Sequence, residues 1–458
     1  MDGSERTAAV GELDRFLLEN PEVRYIDAMF PDMSGIIRGK RLTLRHARQL
    51  FAEGLQMPGS MLLLSVTGSC MDPLGYGVSD GDPDIAIEPI PGSLRPVPWA
   101  DRPRGQVQVT PVDESYSAFD PRHVLAAVLR RFDEMKLRPV VACELEFCLI
   151  DRELTEGGAP RAPVSPSSGR REVSTQLMSL SRVDDFGEFI EDVTSVCAAY
   201  PVPMTALNAE YGGDQFELNL HHVEDAVQAA DDAVALKQIV QGVAARHGMR
   251  ATFMAKPYAE KAGSGMHWHV SVLNADGQNI FDDARSDGGE MLGHAVAGVL
   301  KTMPEAMAFV APNINSYKRF QPGLFVPMTR TWGWNNRSVA VRIPGGAASD
   351  RRLEYRLPGA DANPYLALAV VLAGIHHGIS RKLVPPPASS GNASLEPDPD
   401  VPLKLYEALA ALRSAAVLPG YIGQEYCEVY AATKRLEMEA FLSGLSGKEF
   451  SWYLRSDS

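Results

Sequence analysis

Two imidazoles stand two residues apart in Gly263-Ser264-Gly265-Met266-His267-Trp268-His269-Val270-Ser271-Val272. Side chains alternate faces along a strand, so His267, His269 and Ser271 share one side while Met266, Trp268 and Val270 take the other. Two more stretches repeat the plan. Glu144 and Glu146 alternate with Cys143, Leu145 and Phe147, and Glu354 and Arg356 alternate with Leu353, Tyr355 and Leu357. A lone glutamate of this kind is usually a surface carboxylate, and a lone histidine usually a packed imidazole. Three strands carrying polar pairs at strand spacing change that reading. If they line one cavity, they offer carboxylates, an imidazole and a guanidinium, a set suited to metal-assisted chemistry on a phosphate or carboxylate.

Several elements must position these residues. The first hundred or so residues read as a small α+β unit: a helix over Glu12–Leu18, strands over Val23–Phe30 and Ile36–Leu42 joined by Pro31-Asp32-Met33-Ser34-Gly35, and a helix from Thr43 to Glu53. A Gly/Pro/Asp-rich stretch from Met57 to Asp84 reads as a loop for a surface or a neighbouring subunit, followed by short strands near Asp84–Ile87 and Gly105–Val109. Asp120-Pro121 suits the start of a helix through Met135, which puts the boundary at 115/116. Beyond it come a strand over Pro139–Ile150 and a surface loop over Glu156–Gly169. A helix over Asp184–Tyr200 leads to a two-stranded arm over Asn208–Leu220 with a glutamate, Glu210 and Glu217, in each arm. Long helices follow over Glu224–His247 and Asn363–Lys382, with two more at the end of the chain.

The composition is 45% hydrophobic and 22% charged, as expected of a globular protein, and the net charge of −14 argues against a nucleic-acid partner. Five scattered cysteines form neither a disulfide framework nor a zinc pattern, so a reducing cytoplasm is expected. The most apolar helical run, Tyr365–Ile375, is short of the ~20 residues that cross a bilayer, and no membrane partner is expected.

Taken in order, Glu144-Leu145-Glu146, Glu210 through Glu217, Gly263 to Ser271, Asn315-Ser316-Tyr317-Lys318-Arg319, Asn336-Arg337-Ser338-Val339-Ala340-Val341-Arg342 and Arg351-Arg352-Leu353-Glu354-Tyr355-Arg356 resemble the motifs of the glutamine synthetase superfamily over nearly the whole chain. The resemblance implies an α+β fold with a small β-grasp-like domain over 1–115. A large catalytic domain over 116–458 would carry a curved antiparallel sheet surrounded by helices. It implies ATP as co-substrate and two Mg²⁺ or Mn²⁺ ions per site, one held by Glu146, Glu210 and Glu217, the other by Glu144, His267 and Glu354. It also implies L-glutamate bound by Gly263, Glu146, Arg319 and Arg356, with Arg319, Arg337 and Arg342 acting in catalysis. His269, Ser271, Arg342 and Arg352 would face ATP, whose binding rests on the resemblance alone because the chain has no P-loop pattern. A homo-oligomer, a dodecamer of two stacked hexameric rings, is implied as well.

The chain departs from the ammonia-using members at the acceptor. An acid that deprotonates ammonium is replaced by Phe325, and an acid that binds it by Pro58; Ala262 stands where an asparagine commonly touches glutamate. An apolar ring cannot take a proton. The combination of Gly59-Ser60, Leu324-Phe325-Val326-Pro327, Trp332-Gly333 and Gly359-Ala360-Asp361-Ala362-Asn363-Pro364-Tyr365 resembles the γ-glutamylputrescine synthetase branch and its relatives acting on polyamines and monoamines. The resemblance therefore implies a glutamate–amine ligase in which ATP phosphorylates the γ-carboxylate and a primary amine displaces the phosphate. Phe325, Trp332 and Trp334 are expected to wall the amine pocket. The alternatives are a true glutamine synthetase and a catalytically silent binding homologue, and the preferred amine and general base stay open.

Overall fold

The structure, a computed structural model, describes residues 3–171, 174–175, 177–212, 214–283 and 288–454. Its strands fall into two sheets. The first comprises β1 (Tyr25–Pro31), β2 (Ile37–Thr43), β3 (Leu55–Pro58), β4 (Asp84–Pro89), β5 (Arg95–Pro96) and β6 (Gly105–Pro111), in the order β2-β1-β6-β4-β3 with β5 on β6. The expected hairpin is β1–β2, and β1 also pairs in parallel with β6. Helices Gly3–Glu19 and Leu44–Glu53 cover this sheet. The first is longer than its apolar periodicity foretold, and Thr43 precedes the second without a side-chain capping bond. The stretch expected to be one loop begins with the last two residues of β3 and contains two short 3₁₀ turns.

The second sheet comprises β7 (Arg138–Asp151), β8 (Met204–Ala209), β9 (Gln215–Leu220), β10 (Met249–Thr252), β11 (Met266–Leu273), β12 (Trp332–Trp334), β13 (Val341–Ile343) and β14 (Leu353–Tyr355). Its order is β12-β13-β14-β11-β7-β9-β8, with β10 also on β7, and the pairings are antiparallel except β12 with β13. Glu210 lies just past the end of β8, in the turn, and not in a strand arm as expected. Gly213 of that turn lies outside the described residues.

One face of this sheet is apolar because every second residue is: Cys143, Leu145, Phe147, Leu218, Trp268, Val270, Leu353 and Tyr355 are all buried. It packs on helices Pro121–Glu134 and Ala226–Arg246, the first started by Asp120 accepting from Arg122 N at 2.9 Å and the second closed by Gly248 at φ +70°. The expected helix over 184–200 is two, Leu180–Asp184 and Gly187–Ala199. A 22-residue helix that the periodicity did not reveal, Gly289–Val310, packs on helix Pro364–Arg381. Their axes approach closely because Gly298 faces Gly374 and Gly378, where a Cβ would collide with backbone. The buried side chains around both sheets form one continuous core. No described helix is long and apolar enough to cross a membrane.

Candidate functional site

The register of the second sheet assembles a row of polar side chains on the face opposite the apolar one. Glu146 lies opposite Glu217, Glu144 opposite both His267 and Asn219, and His269 opposite Glu354, which in turn faces Arg342. Each pair but the last joins strands far apart in sequence. His269 Nε2 lies 2.9 Å and His267 Nδ1 3.4 Å from the Glu144 carboxylate. His267 also approaches Glu146 at 4.0 Å and Glu354 at 3.9 Å. Glu354 is fully buried and bridged by Arg342 at 2.5 Å and by Arg356.

Among the described residues, ligand atoms of Glu144, Glu217 and His267 lie within 4.8 Å of one another, as do those of Glu144, His269 and Glu354. These groupings differ from those the resemblance implied. Glu144 belongs to both, and His269, expected on the nucleotide side only, joins the carboxylates. Glu146 is tied down separately, by Gly265 N at 2.9 Å and Gln215 Nε2 at 3.1 Å, and Glu210 by Asn208 at 2.9 Å.

The electrostatics suit a cation. Burial, then repulsion from Glu144, Glu146 and Glu210, pushes the Glu217 carboxyl up to about 9, and burial with Glu146 pushes Glu210 up to about 7. Burial would also lift Glu144, but His267 and His269 outweigh it and hold that carboxyl well below its ordinary range. Glu354 shows the same contest: burial raises it, and Arg356 followed by the imidazoles brings it to about 2. Crowded carboxylates with one or two imidazoles are the donor set of Mg²⁺ or Mn²⁺, so the residues fit divalent ions.

Two cavities flank the row. One of about 290 Å³ is lined by Glu146, Glu210, Glu217, Gly263, His267, Arg319, Arg337 and Arg356, together with Leu177, Met178, Tyr211, Leu324, Phe325 and Val326. The other, about 570 Å³, is lined by Glu144, Asn219, His221, His222, His269, Ser271 and Arg352. Arg352 Nε donates to His269 Nδ1 at 3.2 Å. Arg342 lines neither cavity; it stands at the end of the row beyond Glu354, bonded to Glu354 and Asn335.

Some expectations change. Of the three aromatic walls only Phe325 lines the first cavity. Trp332 is buried with its indole N–H on Pro386 O at 2.7 Å, and Trp334 stacks under Arg351. Pro58 lies on β3, outside the cavity of its own chain. Gly263 is needed by its own neighbours, since a Cβ there would meet Arg319 Cγ at 2.5 Å and Ala255 O at 2.6 Å, and not only by an approaching substrate. Gln215, to which the sequence reading gave no role, bonds Glu146 and the Gly263 carbonyl at 3.1 Å. It lies two residues before Glu217, and the same alternation that found the glutamate could have found it.

Residues 118–453 match the glutamine synthetase catalytic domain. The chain is 38% identical to the γ-glutamylputrescine synthetase of Escherichia coli K12 over 98% of its length and 96% of that protein's. It is 31% identical to a glutamate–isopropylamine ligase of a Pseudomonas species over 92% of its length and 93% of that protein's. The solved structure of GmaS in complex with ADP superposes with a TM-score of 0.83 at 29% identity, covering 96% of this chain and 99% of the other. With its polar strand face set between two cavities and this likeness along its whole length, the chain belongs to the glutamine synthetase family.

Proposed function

We propose that the protein ligates the γ-carboxylate of L-glutamate to a primary alkyl amine at the expense of ATP, through a γ-glutamyl phosphate. The observation that carries this reading is a single cavity lined both by arginines and carboxylates and by apolar side chains, Leu177, Met178, Leu324, Phe325 and Val326. Ligases of this family use ATP and divalent metals. Relatives named for putrescine and isopropylamine support an amine acceptor.

In this reading Arg319 and Arg356 bind glutamate's carboxylates, where a bidentate guanidinium suits the geometry. Arg337 lies on the path of the transferring phosphoryl group. Arg342, paired with Glu354, fixes that carboxylate and so the imidazoles beside it. His269, Ser271 and Arg352 face the nucleotide in the second cavity. Glu144, Glu146, Glu210, Glu217, His267 and Glu354 hold two Mg²⁺ or Mn²⁺ ions, and His269 is a further ligand. When bound, the ions supply positive charge to the phosphoryl oxygens. Leu177, Met178 and the Leu324–Val326 turn contact the alkyl chain of the amine and keep water from the acyl phosphate. Assembly follows the family as a homo-oligomer of stacked rings.

Incubation with ATP, glutamate, Mg²⁺ and putrescine or butylamine should yield an amide weighing glutamate plus amine minus water, in step with ADP. Release of ADP without the amide would reject the reading.

The carboxylates predict a proton count. Glu217 retains its proton near neutrality, so Mn²⁺ binding at about pH 7.5 should release about one proton, seen as a binding enthalpy that changes with buffer. The folded value of about 9 lies above the ordinary 4.5. Glu217 therefore favours the native state most at low pH, and the metal-free protein should lose that contribution as pH rises toward 9. Bound metal should reverse the loss. A buffer-independent enthalpy would count against this ligand set.

A further inference from the structure

Arg319 is 2% exposed, donates to Leu357 O at 3.0 Å and leaves its Nε with no hydrogen-bond partner. A buried guanidinium aimed into a cavity needs something to hold it there. It is carried by the 3₁₀ turn Ser316–Arg319, and that turn is bolted to a residue to which neither the sequence nor the proposed chemistry gave a role. Asp361 Oδ2 accepts from Asn313 Nδ2 at 2.7 Å and from Ser316 Oγ at 2.6 Å. Asn313 Oδ1 in turn accepts the backbone N–H groups of Asn315 and Ser316, and Asn315 exchanges two bonds with the backbone of Lys256.

The other oxygen, Asp361 Oδ1, has no hydrogen-bond partner and occupies the space that a side chain on Gly359 would fill. A Cβ at that point would also lie 3.1 Å from Arg319 Nη1, so the absent side chain lets the carboxylate face the guanidinium. Lys237 brackets the same loop, donating to the carbonyls of Ala360 and Ala362 at 2.6 and 3.1 Å. Burial lowers the proton affinity of both Lys237 and Arg319, and Asp361 is the foremost group restoring each. Asp361 lines neither of the cavities described above, so it touches no substrate in them.

We propose that Asp361 is a positioning residue: it fixes the turn that presents Arg319 and thereby sets the affinity for glutamate. This rests on reading Arg319 as a clamp for a glutamate carboxylate. The alternative role, a mere fastening of the fold, would move every kinetic constant and not one of them.

The test is steady-state kinetics on the full-length enzyme, varying one substrate at a time, for R319K, D361N and S316A. R319K and D361N should each raise KM for glutamate about tenfold or more, S316A about threefold, with KM for ATP and amine held within about twofold. If R319K raises it and neither D361N nor S316A does, the proposal falls and the reading of Arg319 stands. Constants that rise together for all substrates in D361N, or an unfolded D361N beside a silent S316A, show a fastening role and also overturn it. An unchanged glutamate KM in R319K overturns the reading of Arg319 and the proposal with it.

Discussion

Glu144→Gln should cut turnover by about a thousandfold or more at saturating substrates, because this one side chain serves both ligand clusters. An amide of the same shape keeps the strand in place and removes the charge that the cations and both imidazoles need. The apolar face behind it, from Cys143 to Phe147, is untouched, so the fold should survive. Each of the other expected ligands that appears in a cluster contributes to one only, and Glu217→Gln or Glu354→Gln should be the milder change. Phosphate release measures the loss, and calorimetric titration with Mn²⁺ should show both binding steps weakened. A Glu144→Gln enzyme that keeps more than about a tenth of its activity would show that the clusters do not hold the working ions.

Ammonium should be used at about a hundredth or less of the kcat/KM for an alkyl amine, and Phe325→Asp should narrow that gap from both sides. The acids lining the first cavity are Glu146, Glu210 and Glu217, and our proposal gives all three to the metals, which leaves none to receive a proton from ammonium. An alkyl amine has what ammonium lacks, a chain that buries against Leu324, Phe325 and Val326, and burying one large apolar group is worth about 1.5–3 kcal/mol. Phe325 has a backbone φ of +54°, a region that aspartate enters more readily than a bulky ring does. The substitution therefore relieves backbone strain while installing a carboxylate. The variant should gain about tenfold with ammonium and lose about tenfold with butylamine. Ammonium outperforming the amine in the unaltered enzyme would return the protein to glutamine synthesis.

Much of this was legible in the residues, and the misses have physical causes. Strand alternation placed His267, Glu144, Glu146 and Glu354 on one face because a half-buried strand must repeat every two residues. The pairing of those strands was not legible. Register between segments a hundred residues apart is set by packing, so the sequence could not show that Glu144 belongs to both clusters or that His269 joins one. The helix Gly289–Val310 was hidden because it is apolar on most sides and carries Pro304, so no amphipathic stripe marked it. Trp332 and Trp334 were misplaced for a related reason: an aromatic in a core, as Trp332 is, or half-exposed under a guanidinium, as Trp334 is, looks the same in a sequence as one in a pocket until its neighbours are known. Asp361 stands in the Gly359–Tyr365 motif but received no role of its own, because a residue that works by holding another has no spacing signature.

The two-residue alternation of β7, β9 and β11 also governs how the gene can change length. Deleting or inserting a single codon within any of these strands would turn its glutamates or histidines into the core and push Leu145, Leu218 or Trp268 out onto the polar face. The stretch 152–159, just past the end of β7, is exposed at every residue and carries no such constraint. Length variation among descendants of this sequence should therefore collect there and at the chain ends, and be purged from the strands.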